Sequence, residues 1–322
     1  MTADAPTVPR MDIAITIDEL LLWDGTPMPP GYTAHTVMEG LLDALAQHDV
    51  TGVYAFAHTA PVADDPALRA VLERWCEAGH HLGNHTHCHA NLNWLSADRY
   101  CDDIRVAEGI IGDLVDQAPV KYFRHAMDMS GRSEAKRGAV EERLRDDGYT
   151  TAPITAWFGD FAWTAPYARA LDAGDQDAVS LLRTSYVEAA VGQLHAHAQA
   201  ARRMFGGDLP YIWLIHGTAL AQDLLGEILR RFAEEGARFV TLDEAMKHPV
   251  HRAFPPVSGK FANHLQRYAL AVGDSVAPPP PDVMMQVLTA ALPAGENPMA
   301  IYDDIIGRMV TRAGGTLDWS WE

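Results

Sequence analysis

Cysteine is scarce in this chain of 322 residues: Cys76, Cys88 and Cys101 are the three it has. An odd number at no framework spacing excludes a secreted scaffold stapled by disulfides. No stretch of about 18 apolar residues occurs, so no membrane-spanning helix is expected. Basic side chains are also few, with 25 Lys and Arg against 43 Asp and Glu and a formal charge of −18. Nucleic acid, anionic glycans and acidic membranes all call for a basic face, so none is expected as a partner. A neutral small molecule or oligosaccharide suits this surface better. The opening MTADAPTVPR has no basic region followed by an apolar run, and a cytoplasmic protein is expected. There is no internal repeat.

With 48% hydrophobic and 21% charged residues, the chain can bury a large core within one main domain. Short β-branched or apolar runs alternate with helical patterns. MDIAITI (11 to 17), VYAFA (53 to 57), HHLGNH, VKYFR (120 to 124), YTTAPIT, YIWLIH (211 to 216) and ARFVTL read as strands. Helices are expected near 35 to 47, 66 to 78, 96 to 115, 133 to 148, 175 to 204 and 221 to 235, with Ser96 and Ser133 as caps and Gly79 and Gly148 as stops. This alternation predicts an α/β fold with a mostly parallel sheet covered by helices. About seven strands in about 240 residues favour closure into a (β/α) barrel. The barrel domain is expected over 11–248. Residues 249–322 read as Pro-rich connectors, FPPVSGKF and VAPPPPD, followed by amphipathic helices near 282 to 292 and 299 to 312. This extension packs either on the barrel or on a second copy in a homo-oligomer.

The chemistry concentrates in GNHTHCHANL, residues 83 to 92. His85 and His89, four apart, would project to one side of a helical turn. Asp18, Glu19, His85, Arg124 and His216 all fall at the C-terminal ends of expected strands, the edge where parallel sheets build their sites. Two imidazoles and a carboxylate leave open positions on a divalent metal, which lowers the pKa of bound water to about 7 or polarises a carbonyl. Either Asp18 or Glu19 is the carboxylate ligand; the other takes the proton from water, and His216 protonates the leaving group. Zinc suits the donor set, with cobalt, nickel and iron as alternatives.

Taken singly, each group has an ordinary reading: a strand-end cap, a surface ion pair or a core histidine. Their shared edge argues for a site. His87 and His125 read as rim or supporting residues. Cys88 reads as a bystander, and Trp94, Trp157 and Trp163 as core or as stacking surfaces.

The sequence over about 11 to 248 resembles the polysaccharide deacetylase family, the metal-dependent N-deacetylases of the NodB-homology fold (carbohydrate esterase family 4). The Thr-Phe-Asp-Asp-Gly motif looks like TIDEL (16 to 20), which implies Asp18 as general base and Glu19 in place of the metal-binding Asp. His-Ser/Thr-x-x-His is matched at every defined position by HTHCH (85 to 89), implying His85 and His89 as ligands. Arg-x-Pro-Tyr/Phe survives as RHAM, leaving Arg124 to hold the base without the Pro and aromatic. GDFAW implies Asp160 as the group that orients the acid and Trp163 as a substrate wall. LIH implies Leu214 in the acyl pocket and His216 as the acid.

The resemblance implies a deacetylase acting on an N-acetylated amino sugar or a small N-acyl metabolite. Ring-opening hydrolysis of a cyclic ureide or imide is the alternative, with a non-catalytic binding protein as the third reading.

Overall fold

A computed structural model describes residues 11–318. β1 (Met11–Asp18) leads to α1 (Ala34–Gln47) and β2 (Tyr54–Ala57). The short α2 (Ala60–Asp64), a 3-10 turn at Pro66–Leu68 and α3 (Arg69–Glu77) precede β3 (His81–Asn84). The expected helix at 66 to 78 therefore starts three residues late, because Asp65 accepts from Ala67 N at 3.0 Å and winds Pro66–Leu68 tightly. α4 (Ala97–Val115) leads to β4 (Tyr122–Phe123), and α5 (Glu134–Asp146) to β5 (Thr150–Thr151). α6 (Thr164–Asp172) and the long α7 (Gln176–Phe205) lead to β6 (Tyr211–His216). α8 (Ala219–Glu234) and β7 (Ala237–Phe239) complete the alternation. α9 (Leu242–Ala245), α10 (Pro249–Arg252), α11 (His264–Ala271), α12 (Pro281–Thr289) and α13 (Ala300–Arg312) follow.

Every strand pair is parallel, in the order β5-β4-β3-β2-β1-β6, with β7 beside the start of β1. The sheet curls until residues after β5 meet β6. Ala156 bridges Trp213, and Leu214 N donates to Ala156 O at 3.1 Å. β4 and β5 keep two residues each, so the barrel closes through this one bridge rather than a full ladder. No helix among the described residues is long and apolar enough to cross a membrane.

Side-chain alternation explains how this sheet makes a site. In β1, Ile13, Ile15 and Ile17 face the helices and join the main core, while Ala14, Thr16 and Asp18 face inward. The inward sets of neighbouring strands run in parallel from apolar plug to polar rim: Tyr54 and Phe56, then His58; His81 and Gly83, then His85; Tyr122, then Arg124; Ile212 and Leu214, then His216. Gly83 fits because a Cβ there would lie 2.6 Å from the Phe56 ring. Parallel register brings the ends to one level: Asp18 pairs with Phe56 on one side and His216 on the other.

Candidate active site

Asp18 and Glu19 are adjacent, so strict alternation would turn Glu19 away from the rim. Its φ of 55° turns it back. Thr86, His89 and Met127 also hold left-handed backbones, so four of the seven such non-glycine residues described lie at this rim. Backbone held there costs of order 1–3 kcal/mol per residue and is found where surroundings fix a functional geometry. Gly217 is required beside it: a Cβ would stand 2.7 Å from Glu19 O.

The histidine segment is a network-held turn, not the helical turn expected from the spacing. Asn84 Oδ1 accepts from Thr86 N at 2.9 Å, and Thr86 Oγ1 accepts from His89 N at 3.0 Å. Asp103 Oδ2, from α4, accepts the backbone N–H of His87 and of Cys88, each at 2.9 Å. The two rings still meet, His85 Nε2 standing 3.1 Å from His89 Nε2. His85 Nδ1 lies 2.9 Å from Arg124 O; a carbonyl only accepts, so Nδ1 carries the hydrogen and the Nε2 lone pair faces the cluster. Burial, reinforced by His89, holds the His85 pKa well below its ordinary value and keeps the ring neutral.

Asp18 is gripped from the other side. Arg124, fully buried, donates from Nη1 to Asp18 Oδ1 at 2.6 Å and to Thr16 Oγ1 at 2.9 Å, and its guanidinium lies 3.9 Å from the Phe56 ring centroid. Burial raises the Asp18 pKa above the ordinary carboxylate value although Arg124 opposes it. That direction makes a stronger base. Glu19 moves the other way: burial alone would raise it, but His89, with His58 and His216, outweighs that and holds it ionised.

His216 Nδ1 donates to Asp160 Oδ1 at 2.8 Å, and Asp160 Oδ2 accepts the His216 backbone N–H at 2.8 Å. The 3-10 turn Asp160–Trp163 presents that carboxylate. Burial would lower the His216 pKa, but Asp160, with Glu19 and Asp18, raises it to about 9. His216 is therefore a cation at neutral pH with Nε2 turned to the cluster, 4.0 Å from Glu19 Oε1. Its raised pKa adds stability that is complete below the ordinary value of 6.5 and lost as pH rises through about 9.

The donors form an open chain: Asp18 Oδ2 to His85 Nε2 is 3.5 Å, His85 to His89 3.1 Å, and His89 Nε2 to Glu19 Oε1 3.0 Å. Among the described residues no three such side chains close around one point as a finished metal site. Glu19 Oε2 is buried without a hydrogen-bond partner. Two inward imidazoles and a carboxylate with an uncommitted oxygen are the donor set of a divalent transition metal. By chemistry the residues fit such an ion, and the orphaned Glu19 oxygen is the atom free to complete its shell.

Leu214 lines the space above these groups, together with Met127, Trp157 and Phe161. Trp163 does not. It is fully buried, donates from Nε1 to Ser185 Oγ at 2.9 Å and packs on Phe158 and Tyr186, so its assignment as a substrate wall is corrected to a core role. Trp157, stacked on Phe261 at 5.0 Å, faces the pocket instead. His125 is also not at the rim; it joins Tyr100 and Glu141 on the helix side.

One residue escaped the sequence reading. His58 is fully buried with neither ring nitrogen partnered; it is stacked on Trp23, its ring centroid 5.6 Å from that of His89. Burial holds its pKa down to about 3. Its place two residues after Phe56 in the inward series was the available signal.

A curled parallel α/β sheet with a buried histidine and carboxylate cluster on its C-terminal rim is the class these observations define. Residues 6–135 match the sequence model of the polysaccharide deacetylase family, and Asp18, Glu19, His85, His89 and Arg124 lie within that stretch. Asp160 and His216 lie beyond that stretch and rest on geometry. Among solved structures, a mutant of a carbohydrate esterase family 4 pseudoenzyme superposes with TM-score 0.51 at 17% identity, over 74% of this chain and 68% of that one. The wild-type pseudoenzyme from Bacillus anthracis gives 0.50 at 16% identity, over 74% and 66%. At such identity the likeness establishes the fold. Among curated proteins no match to the chain is found.

Proposed function

We propose that the protein is a metal-assisted hydrolase of carbon–nitrogen amide bonds that removes an acyl group from an N-acylated amino sugar or small metabolite. One observation carries this reading. A base clamped by an arginine (Asp18 on Arg124) and an acid clamped by a carboxylate (His216 on Asp160) flank one imidazole and carboxylate cluster.

Asp18, its pKa raised and its orientation fixed, takes the proton of the attacking water. His216, protonated at neutral pH, gives a proton to the departing amine nitrogen. Leu214 supplies apolar surface for the acyl group. Glu19, His85 and His89 would hold a divalent ion, zinc first, which when bound would supply Lewis acidity toward the carbonyl and its water. The family match supports this chemistry over the matched stretch.

The test is amine release by the zinc-loaded protein from N-acetylglucosamine, acetyl anilides and cyclic ureides, followed over pH. Release from the acyclic amides is expected, with a rate that falls as pH rises through about 9, where His216 loses its proton. Turnover of the cyclic ureides alone would replace this reading with ring opening.

A further inference from the structure

The C-terminal helices lie across the mouth of the site. The space above Asp18, Glu19, His89 and His216 has a volume of about 450 Å³, within the range of small-molecule pockets. Its roof is Leu288 of α12, Met299 at the N-cap of α13, and Ile305, Ile306 and Met309 of α13, joined by Phe261. Polar groups sit on the floor, and the walls and roof are chiefly carbon.

α13 is tied down on both sides. Tyr302 Oη donates to Ala162 O at 2.8 Å, beside Asp160, and Arg312 pairs with Asp64 of α2 at 2.5 Å. Arg169 Nη2 holds the end of α12 through Leu288 O at 2.9 Å and Ala290 O at 3.1 Å.

A polymeric glycan needs a groove that continues past the reactive groups on both sides and offers partners to its hydroxyls. Burying hydroxyls against this roof leaves them unpaired, which is costly. An apolar chain or ring gains from the same burial. We propose that α12 and α13 restrict the site to compact N-acyl amides carrying an apolar chain or aromatic ring, and exclude polymeric sugar. The reaction rests on the amide-hydrolase reading; the substrate class rests on the pocket.

The experiment titrates the zinc-loaded full chain by calorimetry with p-nitroanilides of acetic to octanoic acid and with a hexamer of N-acetylglucosamine, following p-nitroaniline release in parallel. Affinity is expected to rise about threefold to fourfold per added methylene until the pocket fills. The hexamer should not bind where the octanoyl compound saturates. Ile306→Glu, half-buried in the roof, should weaken octanoyl binding at least tenfold and much more than acetyl binding. Met299→Glu is the second roof variant, and circular dichroism checks both folds. Affinity independent of chain length, or a hexamer that binds as tightly as the octanoyl anilide, would overturn the proposal. Binding without p-nitroaniline release would instead overturn the hydrolase reading and leave the substrate class standing.

Discussion

Asp18→Asn is expected to lower kcat by about 10² to 10⁴, the usual worth of a positioned general base. The asparagine keeps an oxygen where Asp18 Oδ1 accepts from Arg124 Nη1 at 2.6 Å, but its amide cannot hold the proton of the attacking water. KM should change far less, because the apolar walls that hold the substrate are untouched. The variant also leaves the buried Arg124 cation without its counter-charge, so the rate is read on protein shown to be folded. A kcat within tenfold of the parent would remove Asp18 from the role of base.

The second large effect is on stability. Arg124→Ala should cost about 3–5 kcal/mol in the free energy of unfolding, measured by urea denaturation. Arg124 is fully buried, and its nearest contacts are Asp18, Thr16 and the Phe56 ring, with longer contacts to Ala152 O and Pro153 O at 3.4 Å. Alanine strands a buried carboxylate and empties the centre of the curl. A cost below about 1 kcal/mol would show that Asp18 finds another partner or takes up a proton freely. Thr16, whose Oγ1 donates to Trp213 O at 2.9 Å, marks the lower edge of this network.

Much of the site was legible because inward alternation is a property of the sequence. Asp18, His85, Arg124 and His216 could each be placed at a strand end without coordinates, and the structure brings them to one rim. Glu19 was placed at the same strand end and His89 by its spacing from His85, although the left-handed backbones that aim them carry no signature in residue type: neither is glycine or asparagine. Trp163 misled because an Asp-to-Trp spacing that resembles the family motif says nothing about which way a 3-10 turn presents its last side chain. His58 was missed because a single histidine after a strand reads as an ordinary core residue.

The fold was legible in its order and less so in its edges. The β4 and β5 runs look like full strands by composition, yet the curl leaves only two residues of each in ladder. α12 and α13 were expected as amphipathic helices from their periodicity. Their apolar faces gave no hint that they would meet the reactive groups, since amphipathicity names a face and not its partner.

The most direct measurement is zinc titrated by calorimetry into the full chain after chelator treatment, for the parent and for His85→Ala. One ion per chain is expected for the parent, with affinity lowered at least a hundredfold in the variant, because His85 Nε2 is the neutral lone pair fixed by Arg124 O. No uptake by the parent, or equal uptake by both proteins, would contradict a metal-assisted site at this rim.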